Sequence, residues 1–210
     1  MRLIVVRHGE TEWNQQKRTQ GMSDTPLAPR GHRQALRLAA RLRSMPVQCV
    51  FSSPLARAVD TAKALTLHRN WPIMVDSDLR EINFGSWEGL TCEEIGKNYP
   101  DELAVWNASP DRCQPPGEGE TLSQVAERVD AFLERAKAKY TGKIVLAVTH
   151  SIPCKLLIAR TIGLPLQNLH ALRVDNVSMS ILDFYQDRSV LRLCNDTTHL
   201  QEGVLWPRRS

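Results

Sequence analysis

The chain has 210 residues, 42% of them hydrophobic and 24% charged, with a formal net charge of +4. That length suits one domain with a full core. No apolar run approaches the roughly 20 residues that span a bilayer, and no leader pattern precedes the first apolar run, so a cytoplasmic chain without membrane contact is expected. The five cysteines (Cys49, Cys92, Cys113, Cys154, Cys194) are scattered and form no C-x-x-C pair. They fit reduced thiols better than a disulfide framework or a zinc site. The small, dispersed positive excess argues against nucleic acid as a partner while still attracting a small anionic substrate.

Leu3-Ile4-Val5-Val6 predicts a buried strand that stops on Arg7, His8 and Gly9. In open α/β sheets such strand ends are where ligands bind. A polar loop is expected from Glu12 to Leu27, with Asn14, Gln20 and Gly21 as candidates to line a site and plain turn chemistry as the alternative. Pro29 to Ser44 has helical spacing, with Ala35, Leu38, Ala39 and Leu42 on one face. Val47 to Phe51 predicts a second strand. Ser53 and Pro54 then look like the cap and first position of a helix that carries Arg57 in its first turn or so.

After a short strand at Ile73 to Val75, Leu79 to Gly89 reads as a loop in which Glu81 and Glu88 lie beside Phe84 and Trp87. An apolar setting raises a carboxyl pKa, which suits a general acid. Thr91 to Glu94 and Thr121 to Gln124 are capping boxes, the second opening the longest helix. Between them, 98–119 is proline-rich and irregular, with a short helix around Glu102 to Asn107. It is expected to lie over the sheet edge and to select substrates. Ile144 to Val148 has the uninterrupted apolar character of a central parallel strand and ends on His150. Ser151 and Pro153 open a helix stopped by Gly163. Val177 to Phe184 and Val190 to Cys194 form a hairpin about Gln186-Asp187, and Gly203 to Ser210 read as a tail. The alternation of strands and helices predicts an α/β fold.

Four strand-end or loop segments thus present Arg7 and His8, Arg57, Glu81 (or Glu88) and His150. Two guanidinium groups suit the equatorial oxygens of a phosphoryl group, a neutral histidine can attack phosphorus, and a carboxylic acid can protonate an alkoxide. Metal binding by the two histidines is the competing reading, weakened by the arginines, whose charge repels a cation.

Arg7-His8-Gly9-Glu10, Ser52-Ser53-Pro54-Leu55-x-Arg57-Ala58, Glu81-x-x-Phe84-Gly85-x-Trp87-Glu88-Gly89 and Val148-Thr149-His150 resemble, in order and spacing, the histidine phosphatase (phosphoglycerate mutase-like) superfamily. The resemblance covers essentially the whole chain and implies a single domain, a three-layer α/β/α sandwich around a mostly parallel sheet. It implies His8 as phosphorylated nucleophile, with Arg7, Arg57 and His150 on the phosphoryl oxygens and Glu81 as acid and then base. Asn14 matches a phosphate-contacting position and Glu88 a supporting one. The family's usual His-Gly is His150-Ser151 here, and Ser151 can still offer its backbone N–H. The family needs no metal, and no cofactor is expected.

Within the family, the short insertion ending in Pro116-Gly117-Glu118-Gly119-Glu120-Thr121 is similar to the phosphatase branch rather than to the cofactor-dependent mutases. His150-Ser151-Ile152-Pro153, Asp175-Asn176-x-Ser178 and Asn195-Asp196-Thr197-Thr198-His199-Leu200 resemble the metal-independent phosphoserine phosphatases, and the last of these also resembles the α-ribazole phosphatases. Phe84 stands where the phosphoserine enzymes carry histidine, which counts against phosphoserine. The expected partner is a small phosphorylated metabolite, and a homodimer is a candidate assembly. A mutase, or a non-catalytic protein that binds phosphorylated ligands, are the alternatives.

Overall fold

The computed structural model describes residues 1–201. Its strands are β1 (Arg2–Arg7), β2 (Val47–Ser52), β3 (Ile73–Val75), β4 (Ile144–Thr149), β5 (Met179–Phe184) and β6 (Ser189–Asp196). They form one sheet in the order β3-β2-β4-β1-β5-β6. β1 pairs parallel with β4, and β2 parallel with both β4 and β3. β5 is antiparallel to β1 and to β6, so it alone runs against the others.

The helices are α1 (Glu12–Gln15), α2 (Pro29–Arg41), α3 (Ala56–Thr66), α4 (Cys92–Asn98), α5 (Pro100–Ala108), α6 (Leu122–Lys139) and α7 (Ser151–Ile162). Side chains alternate across a strand, so β1 and β4 feed two cores. Leu3, Val5, Val145 and Ala147 pack with α6 and α7, while Ile4, Val6, Leu146 and Val148 pack with α2 and α3 on the opposite face. The result is the expected α/β/α layering. Among the described residues, no helix is long and apolar enough to cross a membrane.

The register decides where the chemistry sits. Arg7 lies beside Thr149, and Ser52 beside Val148. The next residues, His8, Ser53 and His150, therefore leave the carboxyl edge of three adjacent strands together.

Several local expectations are corrected. Ser53 is not a helix cap: α3 begins at Ala56 after an extended Leu55, and its first N–H donates to the Asp24 carboxylate at 2.7 Å. The Ser53 hydroxyl is instead taken by His150. The stretch expected as a loop holds α1, capped by Thr11 in a capping box closed by the Asn14 side chain. α2 stops at Arg41, short of Ser44, and the helix around Glu102 to Asn107 is the longer α5. β5 starts at Met179 rather than Val177, because Val177 turns the chain with φ +55°, and β6 continues past Cys194 to Asp196. The capping boxes at Thr91 and Thr121 and the left-handed stop at Gly163 are as expected. Gly203 to Ser210 lie outside the described residues.

Candidate active site

His8 follows β1 directly, and its peptide N–H donates to the Thr149 carbonyl at 2.8 Å. The imidazole is 2% exposed. Its Nδ1 lies 2.7 Å from the Gly9 carbonyl, which has only lone pairs to offer. Nδ1 is therefore the protonated nitrogen, and Nε2 keeps a free lone pair. Burial first, then the charges of Arg57 and Arg7, holds the His8 pKa well below the ordinary histidine range. Gly9 is required sterically: a Cβ there would fall 2.8 Å from the Gly31 carbonyl oxygen.

His150 leaves β4 and starts α7, with its ring centroid 5.1 Å from that of His8. Its Nε2 is 2.7 Å from Ser53 Oγ. Ser53 Oγ also accepts a weak bond from the Leu55 N–H at 3.3 Å, which favours the arrangement in which its own proton goes to His150 Nε2. That tautomer places the hydrogen on Nδ1, which is buried with no partner among the described residues. Burial, followed by the Arg57 charge, lowers the His150 pKa as well.

Arg57, the second residue of α3, is fully buried. Its Nη1 donates to the Ser23 carbonyl and its Nη2 to the Gly21 carbonyl, both at 2.7 Å. Arg7 donates through Nη1 to the Val174 carbonyl at 2.8 Å. The Nε–H of each guanidinium is buried without a partner among the described residues. Thr61 Oγ1 ties α3 to the turn after β1, accepting from the Gly9 N–H and donating to the Arg57 carbonyl. Three orphaned donors around one imidazole are unusual in a folded interior, where such groups are normally satisfied. They are the donor set an oxyanion of phosphorus would use.

Glu81 is 7% exposed, in the segment between β3 and α4. Its Oε2 accepts from the Ser151 N–H at 3.0 Å; its Oε1 accepts from the N–H groups of Ile82 at 3.0 Å and Ile152 at 3.2 Å. Burial raises its pKa above the usual carboxylate value, against the opposing pull of those N–H groups, Arg57 and Arg7. Such a carboxyl holds its proton to higher pH than a surface glutamate.

The other candidates act at one remove. Ser151 spends its N–H on Glu81. Gln20 Oε1 accepts from the hydroxyls of Thr11 and Thr25, and Asn14 Oδ1 accepts from the Thr11 N–H and from Asn176 Nδ2. Gly21 has φ +53°, and a Cβ on it would collide with the Glu88 carboxylate. Glu88 in turn accepts from the N–H groups of Met22, Ser23 and Phe84 and from the Ser23 hydroxyl. The Phe84 ring packs 6.3 Å from Trp106 of α5, which also meets Trp87 at 5.9 Å. The segment 98–119 thus folds onto the loop that carries Phe84, with the Pro116 carbonyl accepting the Ser86 N–H. Sequence reasoning gave no site role to Ser53, Thr61 or Asn176. Asn176 donates to the His8 carbonyl at 3.1 Å, and its only signal was its place in the Asp175-Asn176-x-Ser178 block. Among the described residues, no group of three or more His, Cys, Asp and Glu could hold a metal ion.

Residues 3–197 match the family model of the histidine phosphatase superfamily, branch 1. The chain belongs to the histidine phosphatase superfamily. Within it, the chain is 33% identical over 202 residues to phosphoserine phosphatase 1 of Hydrogenobacter thermophilus, covering 96% of this chain and 95% of that protein. It is 34% identical over 215 residues to the probable phosphoglycerate mutase GpmB of Shigella boydii, covering 98% and 97%. A crystal structure of a putative alpha-ribazole-5'-P phosphatase from Escherichia coli superposes with a TM-score of 0.86 at 31% identity, covering 94% of this chain and 97% of that one. Membership together with phosphatase relatives supports a phosphatase.

Proposed function

We propose that the chain is a phosphomonoesterase that transfers a phosphoryl group to His8 and then to water. The observation that carries this reading is the hydrogen-bond pattern: an imidazole whose Nδ1 is committed to the Gly9 carbonyl, flanked by buried guanidinium groups whose Nε–H donors have no partner among the described residues. The His8 Nε2 lone pair attacks phosphorus as the ester P–O bond breaks. Arg7, Arg57 and His150 Nδ1–H hold the phosphoryl oxygens, and Glu81 gives its proton to the departing alkoxide. The resulting Glu81 carboxylate takes a proton from water. The water oxygen displaces the imidazole from phosphorus, releasing inorganic phosphate and restoring the neutral histidine. The two guanidinium charges would repel a divalent cation, so the reading is metal-independent and needs no cofactor.

Asn14 belongs to the same cluster through Asn176, while Gly21 holds Arg57, Ser151 holds Glu81 and Gln20 braces the adjoining loop through Thr11 and Thr25. Phe84, backed by Trp106, gives the site an apolar wall on the side of the 98–119 segment. The substrate is a small phosphorylated metabolite, with α-ribazole 5'-phosphate and phosphoserine as the candidates named by the relatives. The free cysteines, of which Cys49 and Cys154 are buried, fit a reducing cytoplasm. The likeness to a probable phosphoglycerate mutase favours a second reading, return of the phosphoryl group to a phosphoglycerate.

A hydrolysis screen across phosphoserine, α-ribazole phosphate, phosphoglycerates, sugar phosphates and nucleotides tests both. Phosphate release that survives EDTA and disappears in His8→Ala is expected. Interconversion of the two phosphoglycerates that depends on 2,3-bisphosphoglycerate, without hydrolysis, would establish the mutase instead.

A further inference from the structure

Arg128 stands on the buried side of α6, three residues after Val125 and beside Val129, yet its side chain is only 9% exposed. A guanidinium in such a place needs partners for all five of its N–H donors, and it has them. Nη1 donates to the carbonyls of Asp78 at 2.9 Å and Arg80 at 2.6 Å. Nη2 donates to the Glu81 carbonyl at 2.9 Å and to Glu120 Oε2 at 3.0 Å. Nε donates to Glu120 Oε1 at 3.1 Å. The carbonyl these leave out, that of Leu79, accepts from the Thr149 hydroxyl of β4. Glu120 completes the ring from the other side, accepting the Asn83 N–H at 2.9 Å while its own N–H donates to the Asn83 carbonyl at 2.8 Å.

The segment from Asp78 to Asn83 is thus gripped along its length by groups from α6, from Glu120 two residues before α6 and from the end of β4. Its centre is Glu81. The peptide of that residue is held by Arg128, and its carboxyl is held by the N–H groups at the start of α7. We propose that Arg128, locked by Glu120, is a positioning residue that fixes the Glu81 carboxyl where it can protonate the leaving group. The planar fork is essential to the role. A lysine has three donors around one point and cannot span carbonyls 78, 80 and 81 together with a carboxylate. This inference rests on the proposed acid role of Glu81.

The readout is dependence on the leaving group, measured as kcat/KM for benzyl phosphate and p-nitrophenyl phosphate, which are similar in size. An alkoxide needs the acid, whereas a nitrophenolate departs without it. kcat/KM reports steps up to release of the alcohol, so slow hydrolysis of the phosphoenzyme does not obscure the comparison. Arg128→Lys is expected to lower kcat/KM for benzyl phosphate about ten- to a hundredfold more than for p-nitrophenyl phosphate. Glu81→Gln should discriminate at least as strongly.

If Glu81→Gln slows both substrates alike, the acid reading of Glu81 fails. If Glu81→Gln discriminates but Arg128→Lys slows both substrates equally, or neither, the positioning role is overturned. Glu120→Gln keeps the backbone bonds of Arg128 but loses the ion pair. It should discriminate in the same direction to a smaller degree, and it decides the matter should Arg128→Lys fail to fold. A Glu120→Gln enzyme that does not discriminate would then overturn the proposal.

Discussion

Gly21→Ala is expected to destabilise the protein well beyond an ordinary loop substitution, through the Glu88 carboxylate. Two costs add. An L-residue at φ +53° gives up roughly 1–2 kcal/mol relative to glycine. The new Cβ also occupies the volume of the Glu88 carboxylate, which accepts from three backbone N–H groups and the Ser23 hydroxyl. Bonds to a charged acceptor contribute about 1.5–3 kcal/mol each. Displacing the carboxylate far enough to lose the equivalent of one such bond brings the total to about 2.5–5 kcal/mol. With a urea m-value on the order of 2 kcal/mol/M, the unfolding midpoint should fall by about 2 M. The diagnostic measurement is the double-mutant cycle with Glu88→Ala. Once the carboxylate is gone, Gly21→Ala should cost only its backbone strain, leaving a coupling of about 2 kcal/mol. Additive effects of the two substitutions, or a single-mutant cost below about 1 kcal/mol, would refute the reasoning.

Ser53→Ala removes the partner of His150 Nε2 and the preference for the Nδ1–H tautomer. kcat/KM should drop roughly tenfold, equivalent to about 1.4 kcal/mol, with little change in Tm, and an unchanged rate would show that the hydroxyl does not set the tautomer. The two buried histidines also set a pH dependence of stability. Both have folded pKa values below the ordinary 6.5, so the unfolded chain binds protons first and stability is lost as pH falls from about 6.5 towards their folded values. The slope approaches about 2.7 kcal/mol per pH unit where both contribute. Glu81 acts in the opposite sense, since a raised folded pKa gives stability present below 4.5 and lost as pH rises through the folded value. Urea unfolding between pH 7 and 5 should show the histidine slope, roughly halved in His150→Gln. A flat profile would mean that the imidazoles are not held neutral.

The strands and most helices were legible because their signals are local: the apolar runs of β1 and β4, the capping boxes at Thr91 and Thr121, the glycine stop at Gly163. Two of the misreadings trace to a partner far away in sequence, and a third to a helix of a single turn. Ser53-Pro54 has the form of a helix start, but a histidine 97 residues later takes the hydroxyl. Thr11 and Asn14 close a capping box on only one turn of helix, too short for apolar periodicity to reveal. Val177 continues an alternating strand pattern until its peptide N–H is needed by the carbonyls of Arg7 and His8. The resemblance brought His8, Arg7, Arg57, Glu81 and His150 together; the parallel register of β1, β4 and β2 explains why the strand-end residues converge, and the N–H groups at the start of α7 bring Glu81 to them. Arg128 went unnoticed although an arginine amid Val125, Val129 and Phe132 was itself a signal. Its reason, a row of loop carbonyls needing donors, exists only in three dimensions.

A phosphoryl group carried on His8 Nε2 is tested most directly by quenching the enzyme during turnover of a radiolabelled phosphomonoester. Label should be bound covalently at up to one per chain, lost in acid, stable in base, located on the peptide containing His8 and absent from His8→Ala. Label that survives acid, label on another residue, or turnover with no covalent label at all would contradict it.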